Sequence, residues 1–462
     1  IIEIIGDRKY ISVDEVKHTT RLGMGACRGK RCIKRLKQSI APYGVEIIGD
    51  ATPRGPLSNQ LTLGELYPKA SNEKIHSSVN NKKVKRISVP SLVAGGGVAG
   101  SAVFRYLAEA GLKPVLINDD RGASWRNIAG GRPAFSLPAL ADIALKNRDI
   151  FEELQKTHNI NYKPIRYISF AHDEATYNAL EASKAWSDAY MVDAKDFRKE
   201  ISPYFNQNLS KYKSALITHD CWQATPGIVI DLIRRIGIEN GGEVQENCKF
   251  IDLQKEGNKI VALVFNHNQE YVEYETEHFV NALGPNAGEF ALKLGLETGL
   301  YPVKHQAFIT KRLPMMGKDG AQLDMLIDRQ IYKGFSAVYG QQLAETGQII
   351  GCASPAIDPL ETRQDLKINN KEFVEIISEV FVDWLPSLSN VSIQAVWSGY
   401  YVEPRYIVDP ENGLLIGLRG HGFMLSQYLA KLYVDKLTGK PVPDYFKDLS
   451  LKGPGLSEAA FK

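Results

Sequence analysis

Ser91-Leu-Val-Ala-Gly-Gly-Gly-Val-Ala-Gly100 decides the fold of this chain. Its apolar start breaks into G-x-G-x-x-G at Gly95, Gly97 and Gly100, and beyond it Val103, Leu107, Ala108 and Gly111 continue as a helical pattern. A second apolar run, Val115-Leu-Ile117, comes next, so strand, glycine turn, helix and strand stand in the order of a dinucleotide-binding βαβ unit. Gly95 is expected to make the tight turn, Gly97 to let backbone N–H groups approach a pyrophosphate, and Gly100 to let the helix lie against the strand. Val98 and Ala99 then fall at the helix N-terminus, where unpaired amides and the macrodipole favour phosphate. The carboxylate that such units direct at the ribose hydroxyls would stand near position 118, which is Asn118, with Asp119 and Asp120 just after. Either the amide or a slightly shifted Asp119 would make that contact.

The rest of the composition sets the frame. With 462 residues, 44% hydrophobic and 24% charged, the chain has an ordinary soluble composition and room for two or three domains. A net charge of +3 from 56 basic and 53 acidic residues is too balanced for nucleic-acid binding or electrostatic attachment to a membrane. No apolar run reaches the roughly 18 to 20 residues of a transmembrane span. No signal peptide is evident, although the sequence starts at Ile1, which leaves the natural N-terminus and its targeting open. Five scattered cysteines do not describe a disulfide scaffold, so a reducing cytoplasm is the expected compartment.

Residues 1–45 read as a small helical module, with Val13, Val16 and Leu22 before a Gly/Cys turn and Ile33, Leu36 and Ile40 after it. Residues 46–88 read as a linker, and Lys82-Lys-Val-Lys-Arg86 within them as a solvated basic cluster. From Val89 onward strands and helices alternate, which argues for an α/β domain with a largely parallel sheet. Residues 89–164, 226–299 and 396–445 are expected to build that domain together. Residues 165–225 and 300–395, with their tyrosines, phenylalanines and alternating patterns, are expected to form an interleaved antiparallel sheet, and 446–462 a C-terminal tail.

Behind the glycine turn come, in order, Ala123-Ser-Trp-Arg-Asn-Ile-Ala-Gly-Gly131, Phe279-Val-Asn-Ala-Leu-Gly-Pro285, Trp397-Ser-Gly399, Asp409, Gly413 to Gly417 and Gly420-His-Gly-Phe423. With these, residues 90 to 445 resemble the D-amino-acid oxidase-like family of FAD-dependent amine oxidoreductases, which includes glycine oxidase, sarcosine oxidase and dehydrogenase, and D-amino-acid dehydrogenase. The series is similar to the family's S-x-x-N-x-A-G-G, V-N-A-x-G-P and W-x-G…D-G…I-G…G-H-G-F motifs, except that Pro410 follows Asp409 where the family has glycine. The resemblance implies an α/β fold, with a Rossmann-like FAD-binding domain and an interleaved antiparallel-sheet substrate domain. It implies FAD held without a covalent bond, since Trp125 and Arg126 stand where some relatives carry a flavin-linking histidine. Besides Gly95, Gly97, Val98, Ala99, Gly100, Asn118 and Asp119, it assigns Ser124, Arg126, Asn127, Ala129, Gly130 and Gly131 to the cofactor. Phe250, Ala282 and Gly284 join them, as do Gly420, His421, Gly422 and Phe423, where a helix N-terminus would stabilise the negative charge of a reduced flavin.

Thr20-Arg-Leu-Gly-Met-Gly-Ala-Cys27-Arg-Gly-Lys-Arg-Cys32 has its own resemblance, to half of a bacterioferritin-associated-ferredoxin-like [2Fe–2S] domain. Cluster binding needs four thiolates, of which Cys27 and Cys32 supply two; the other pair would lie upstream of Ile1. A [2Fe–2S] cluster in a longer protein and a degenerate module kept for packing or partner binding both remain open. Cys221, Cys248 and Cys352 read as buried small apolar residues.

The family's chemistry is oxidation of a carbon–nitrogen bond, with hydride passing to flavin N5 and an imine as product. Placement and desolvation of an unprotonated amine can carry most of that catalysis, and no acid–base dyad is evident in the sequence. An amino-acid substrate needs a cation for its carboxylate. The position where glycine-oxidase-like members carry that arginine is Tyr401, so Arg405, Lys304, His305, Arg329 and Tyr332 become the candidates, with His305 favoured. The expected activity is that of an FAD-dependent dehydrogenase or oxidase for an amino acid or N-substituted amino acid, passing electrons to a partner subunit or quinone. The alternatives are an electron-transfer or scaffold subunit of a multisubunit amine dehydrogenase and a tRNA-modifying amine oxidase, the last disfavoured by the charge balance.

Overall fold

The computed structural model describes residues 10–12, 36, 38, 46–48, 84–119, 122–184, 188–330, 332–355 and 370–456. The chain divides into two compact units, residues 1–83 and 84–462. In the first unit Tyr10–Ser12 and Glu46–Ile48 pair as parallel strands, and Leu36 is helical and buried. A purely helical module was therefore too simple a reading: β-branched Ile11 of that module sits opposite Ile47, which lies in the segment expected to be linker. Cys27 and Cys32 lie outside the described residues.

In the second unit a six-stranded sheet runs in the order Glu243–Gln245, Pro114–Ile117, Ser91–Ala94, His278–Asn281, Leu414–Ile416, Ile407–Asp409. All neighbours are parallel except the last pair. Three distant stretches thus converge on one sheet. Its central strands are buried on both faces, which parallel sheets require. Val93 and Leu116 point into one core with the helices Val98–Glu109, Pro138–Thr157, Pro226–Glu239 and Gly422–Leu437. Leu92, Ala94, Val115 and Ile117 point into the other, against a four-stranded sheet.

That smaller sheet contains Lys85–Ser88, paired in parallel with Tyr271–Thr276, so the expected linker stops short of residue 88. Arg86 is exposed, as a solvated cation would be, but it is also paired: its Nε donates to Glu273 at 2.8 Å and its Nη1 to Glu256 at 2.8 Å. Cross-strand carboxylates make a strand of a stretch whose composition reads as linker.

A nine-stranded sheet supplies the second layer. Its pairs are antiparallel, as expected of the interleaved region, with one exception: Met325–Asp328 runs parallel to Lys163–Ala171. Gly130–Gly131 and Ile393–Glu403 belong to this sheet, so residues 396–403, expected with the nucleotide-binding part, are most of one of its strands. The helix Asn370–Trp384 packs on it through Phe373, Ile376, Ile377, Val380, Phe381 and Trp384, an unbroken helical stripe. The expected tail also packs, because Phe446 and Leu449 are buried in the first core.

Candidate active site

The glycine turn has the geometry that its sequence requires. Gly95 has φ +103°, and a Cβ there would stand 2.4 Å from the Ala282 carbonyl oxygen. A Cβ on Gly100 would stand 1.7 Å from the Gly95 carbonyl oxygen, and one on Gly97 2.9 Å from Ser124 Oγ. Ser124 reaches back across the turn and accepts the Val98 amide at 2.9 Å, a cap that holds the helix N-terminus where an anion would sit. Ala99 continues the first helical turn. Gly284, at φ +55°, opens a 3₁₀ turn after Ala282. Asn118 ends its strand beside this loop, with its Nδ2 donated to Glu246 and its Oδ1 buried without a partner. Asp119 is exposed next to it. Phe250 does not turn its ring to the loop: the ring is buried edge-on to Phe290, with centroids 5.1 Å apart.

A cavity of ≈380 Å³ opens between the Ala123–Gly130 segment, the large sheet and the Gly420–Met424 turn. Asn127 shapes the first of these by donating to the Ser124 carbonyl at 2.5 Å and accepting the Ala129 amide at 2.7 Å, with Ala129 at φ +74°. Gly130 and Gly131 are needed for close approach, since a Cβ would stand 2.3 Å from the Tyr167 hydroxyl at one and 2.2 Å from the Trp222 ring at the other. Gly420 likewise leaves room for the Tyr401 ring, 2.2 Å from its would-be Cβ. His421 precedes the helix Gly422–Leu437, and its Nδ1 pairs with the Tyr406 hydroxyl at 2.6 Å. Phe423 closes the wall beneath it.

His305 and Tyr401 face each other across neighbouring strands, their rings stacked 3.6 Å apart and lining the cavity. Burial pushes the His305 imidazole down to about 3, so it is neutral near pH 7; its Nδ1 is buried without a partner. Tyr401 shares a 2.9 Å hydroxyl contact with Tyr339, and burial pushes both phenols well above their ordinary range. His421 is also held neutral, by burial and then by the positive charges of Arg132, Arg419 and Arg329. Burial moves the Cys352 thiol up to about 12, so this wall offers no thiolate. Cys221, Cys248 and Cys352 are all free and buried, as expected.

Of the predicted substrate residues, His305, Tyr401 and Arg329 line the cavity. Arg405 does not: it holds the C-terminal segment, donating from Nη1 to the Gly453 carbonyl at 3.0 Å and from Nη2 to Leu451. Tyr332 does not either. Its hydroxyl donates to Asp328 at 2.8 Å in a buried cluster where Asp328 also accepts from Tyr212 at 2.5 Å and meets His172 at 2.7 Å. Lys304, one residue off the register of His305, is buried outside the cavity lining. The sequence reading missed Arg132 and Arg419 in the cavity wall, the latter ion-paired to Glu403 at 2.6 Å. Arg132 directly follows the Gly130-Gly131 pair and could have been found from that adjacency.

Among the described residues no group of three or more His, Cys, Asp or Glu could hold a metal, and no helix is long and apolar enough to cross a membrane. The sequence profile of the DAO family, the FAD-dependent oxidoreductases, matches residues 91–436. The chain belongs to that family. In solved structures it is similar to L-proline dehydrogenase from P. horikoshii, with 21% identity over 80% of this chain and 97% of that one, at TM-score 0.65. Glycine oxidase from Bacillus cereus ATCC 14579 is similar too, with 19% identity over 80% of this chain and 99% of that one, at TM-score 0.63. Iminodiacetate oxidase from Chelativorans sp. BNC1 gives 15% over 79% and 100%, at TM-score 0.63. No curated protein sequence matches the chain. The residues present fit FAD: the cradle at Gly95, Gly97 and Gly100, with the orphaned Asn118 Oδ1 beside it, suits the adenosine diphosphate end, and the cavity suits the flavin and a small substrate. The chain is an FAD-dependent oxidoreductase.

Proposed function

We propose that this protein is a dehydrogenase that oxidises the C–N bond of an amino acid or N-substituted amino acid and passes the electrons to a partner subunit or quinone. The observation that carries the reading is the cavity wall, in which the stacked, neutral His305 and Tyr401 share the lining with Arg132, Arg329 and Arg419. Noncovalently bound FAD would supply the hydride acceptor: the substrate's C–H hydrogen would leave with both bonding electrons, and the resulting iminium ion would give up its N–H proton to solvent as the imine, which water hydrolyses.

The chain's own residues do the rest. Arg132 and Arg329 line the cavity and offer cations for the substrate carboxylate. His305, neutral and stacked on Tyr401 in the cavity wall, sets no like charge against the substrate amine. With so low a basicity it cannot take the proton of an ammonium group, so the substrate sheds that proton to solvent before it is seated. The Glu403–Arg419 pair keeps the one carboxylate among the cavity-lining residues occupied. A cluster at Cys27 and Cys32 would give electrons an exit, as part of the same proposal.

The test is turnover with a dye acceptor on a panel of glycine, sarcosine, proline and N-carboxyalkyl amino acids. Activity with one class supports the reading. A protein that holds FAD and turns over none of them is an electron-transfer subunit instead.

A further inference from the structure

Dinucleotide-binding units of this kind place a carboxylate at the end of the second strand to accept from the ribose hydroxyls, and this chain has Asn118 there. A carboxylate nevertheless stands at the spot. Glu246 follows the strand Glu243–Gln245, which pairs in register with Pro114–Ile117 and so brings residue 246 beside residue 118. Asn118 Nδ2 donates to Glu246 Oε2, and Arg234 Nη1 donates to Glu246 Oε1 at 3.2 Å. Arg234 is itself fixed to the glycine turn, with Nη2 on the Gly96 carbonyl and Nε on Ser101 Oγ at 3.0 Å. The convergence on the turn is tight: a Cβ on Gly96 would stand 2.2 Å from Asn118 Oδ1 and 2.6 Å from Arg234 Nη2. Glu246 remains half-exposed, with lone pairs to spare, while Asn118 Oδ1 has no partner.

We propose that Glu246 replaces the strand-end carboxylate, accepting one hydroxyl of the FAD adenosine ribose while the free Asn118 Oδ1 accepts the other. The assignment rests on the FAD reading of the site. Asn118 and Arg234 hold the carboxylate in place, and the diol sits between two acceptors supplied by adjacent strands. A cofactor carrying a 2′-phosphate would meet a negative charge there and be rejected. A glutamine at this position has one acceptor oxygen for three donors, so the ribose hydroxyl would compete with Asn118 and Arg234 and lose.

The experiment measures binding of FAD to the deflavinated protein through flavin fluorescence, without turnover. FAD is compared with an analogue whose adenosine ribose lacks the 2′- and 3′-hydroxyls. Glu246→Gln is expected to weaken FAD about tenfold, the worth of one hydrogen bond to a charged group, and to leave the analogue's affinity unchanged. Glu246→Asp, which keeps the charge, should recover part of the loss. Equal FAD affinity for wild type and Glu246→Gln overturns the proposal. So does an equal loss for FAD and analogue, which would make Glu246 only a brace for Arg234. A wild-type protein that binds no FAD fails the cofactor reading itself and takes the proposal with it.

Discussion

Gly100→Ala separates a structural account of the glycine turn from a merely compositional one. The added Cβ would stand 1.7 Å from the Gly95 carbonyl oxygen, 3.0 Å from its carbon and 3.3 Å from Ala282 Cβ. A comfortable non-bonded separation is about 3.5 Å, so the helix Val98–Glu109 must withdraw by roughly 1.5–2 Å. The Gly95 backbone and the fixed Ala282 Cβ leave no flexible side chain to yield. The withdrawal loosens Val103, Phe104 and Leu107, all fully buried between helix and sheet. Overpacking of this kind costs about 1–3 kcal/mol, and the lost contacts bring the total to about 3–5 kcal/mol. That is a large part of an ordinary domain's stability. The same movement pulls the helix N-terminus away from the phosphate position, so FAD affinity should fall about a hundredfold. Urea denaturation of the deflavinated protein reads the first effect and flavin fluorescence on FAD binding the second. Gly122→Ala is the control, since its Cβ meets nothing within 4 Å and its φ is −71°; it should move stability by no more than about 0.5 kcal/mol. If the two variants match each other in stability and in FAD affinity, the argument for close strand–helix approach is wrong.

Arg405→Met removes the donors that hold the Leu451 and Gly453 carbonyls, so it should lower the urea midpoint while leaving KM for substrate unchanged; a large rise in KM would return Arg405 to the substrate site. Arg132→Leu should raise KM for a carboxylate substrate at least tenfold and, because Arg132 Nη1 also donates to the buried Ala134 carbonyl, should lower the urea midpoint as well; an unchanged KM would assign the carboxylate to Arg329 instead. Asp328→Ala leaves His172, Tyr212 and Tyr332 without their shared acceptor and should destabilise the fold by about 3 kcal/mol, measured by urea denaturation. Stability should also fall on acidification. The imidazole of His305 stays neutral in the fold down to about pH 3, whereas in the unfolded chain it protonates below about 6.5, so protons favour unfolding throughout that window. His421 adds to the trend with the same sign, and replacing His305 with Gln should flatten the slope of stability against pH between 6.5 and 4.5.

The parts of the site that were legible in the sequence are those fixed by local backbone demands. Gly95, Gly97 and Gly100 are read from their spacing because each position tolerates no Cβ. Gly130, Gly131 and Gly420 belong to the same kind, placed where rings of Tyr167, Trp222 and Tyr401 come close. What stayed hidden depends on pairing across long stretches of chain. Glu246 becomes a neighbour of Asn118 only through strand register 128 residues on. Arg405 is turned away from the cavity by the carbonyls of residues 451 and 453, and Tyr332 by a buried carboxylate, and neither direction follows from distance along the chain. The strand Lys85–Ser88 was concealed by its charge, which Glu256 and Glu273 neutralise from other strands.

The most direct test of the central claim is the absorption spectrum of the purified, FAD-loaded protein, recorded without oxygen before and after addition of candidate amino acids and N-substituted amino acids. Flavin bands that bleach with one class and recover with an added electron acceptor are the predicted result. Bands that stay intact with every compound, while dithionite still bleaches them, would contradict it.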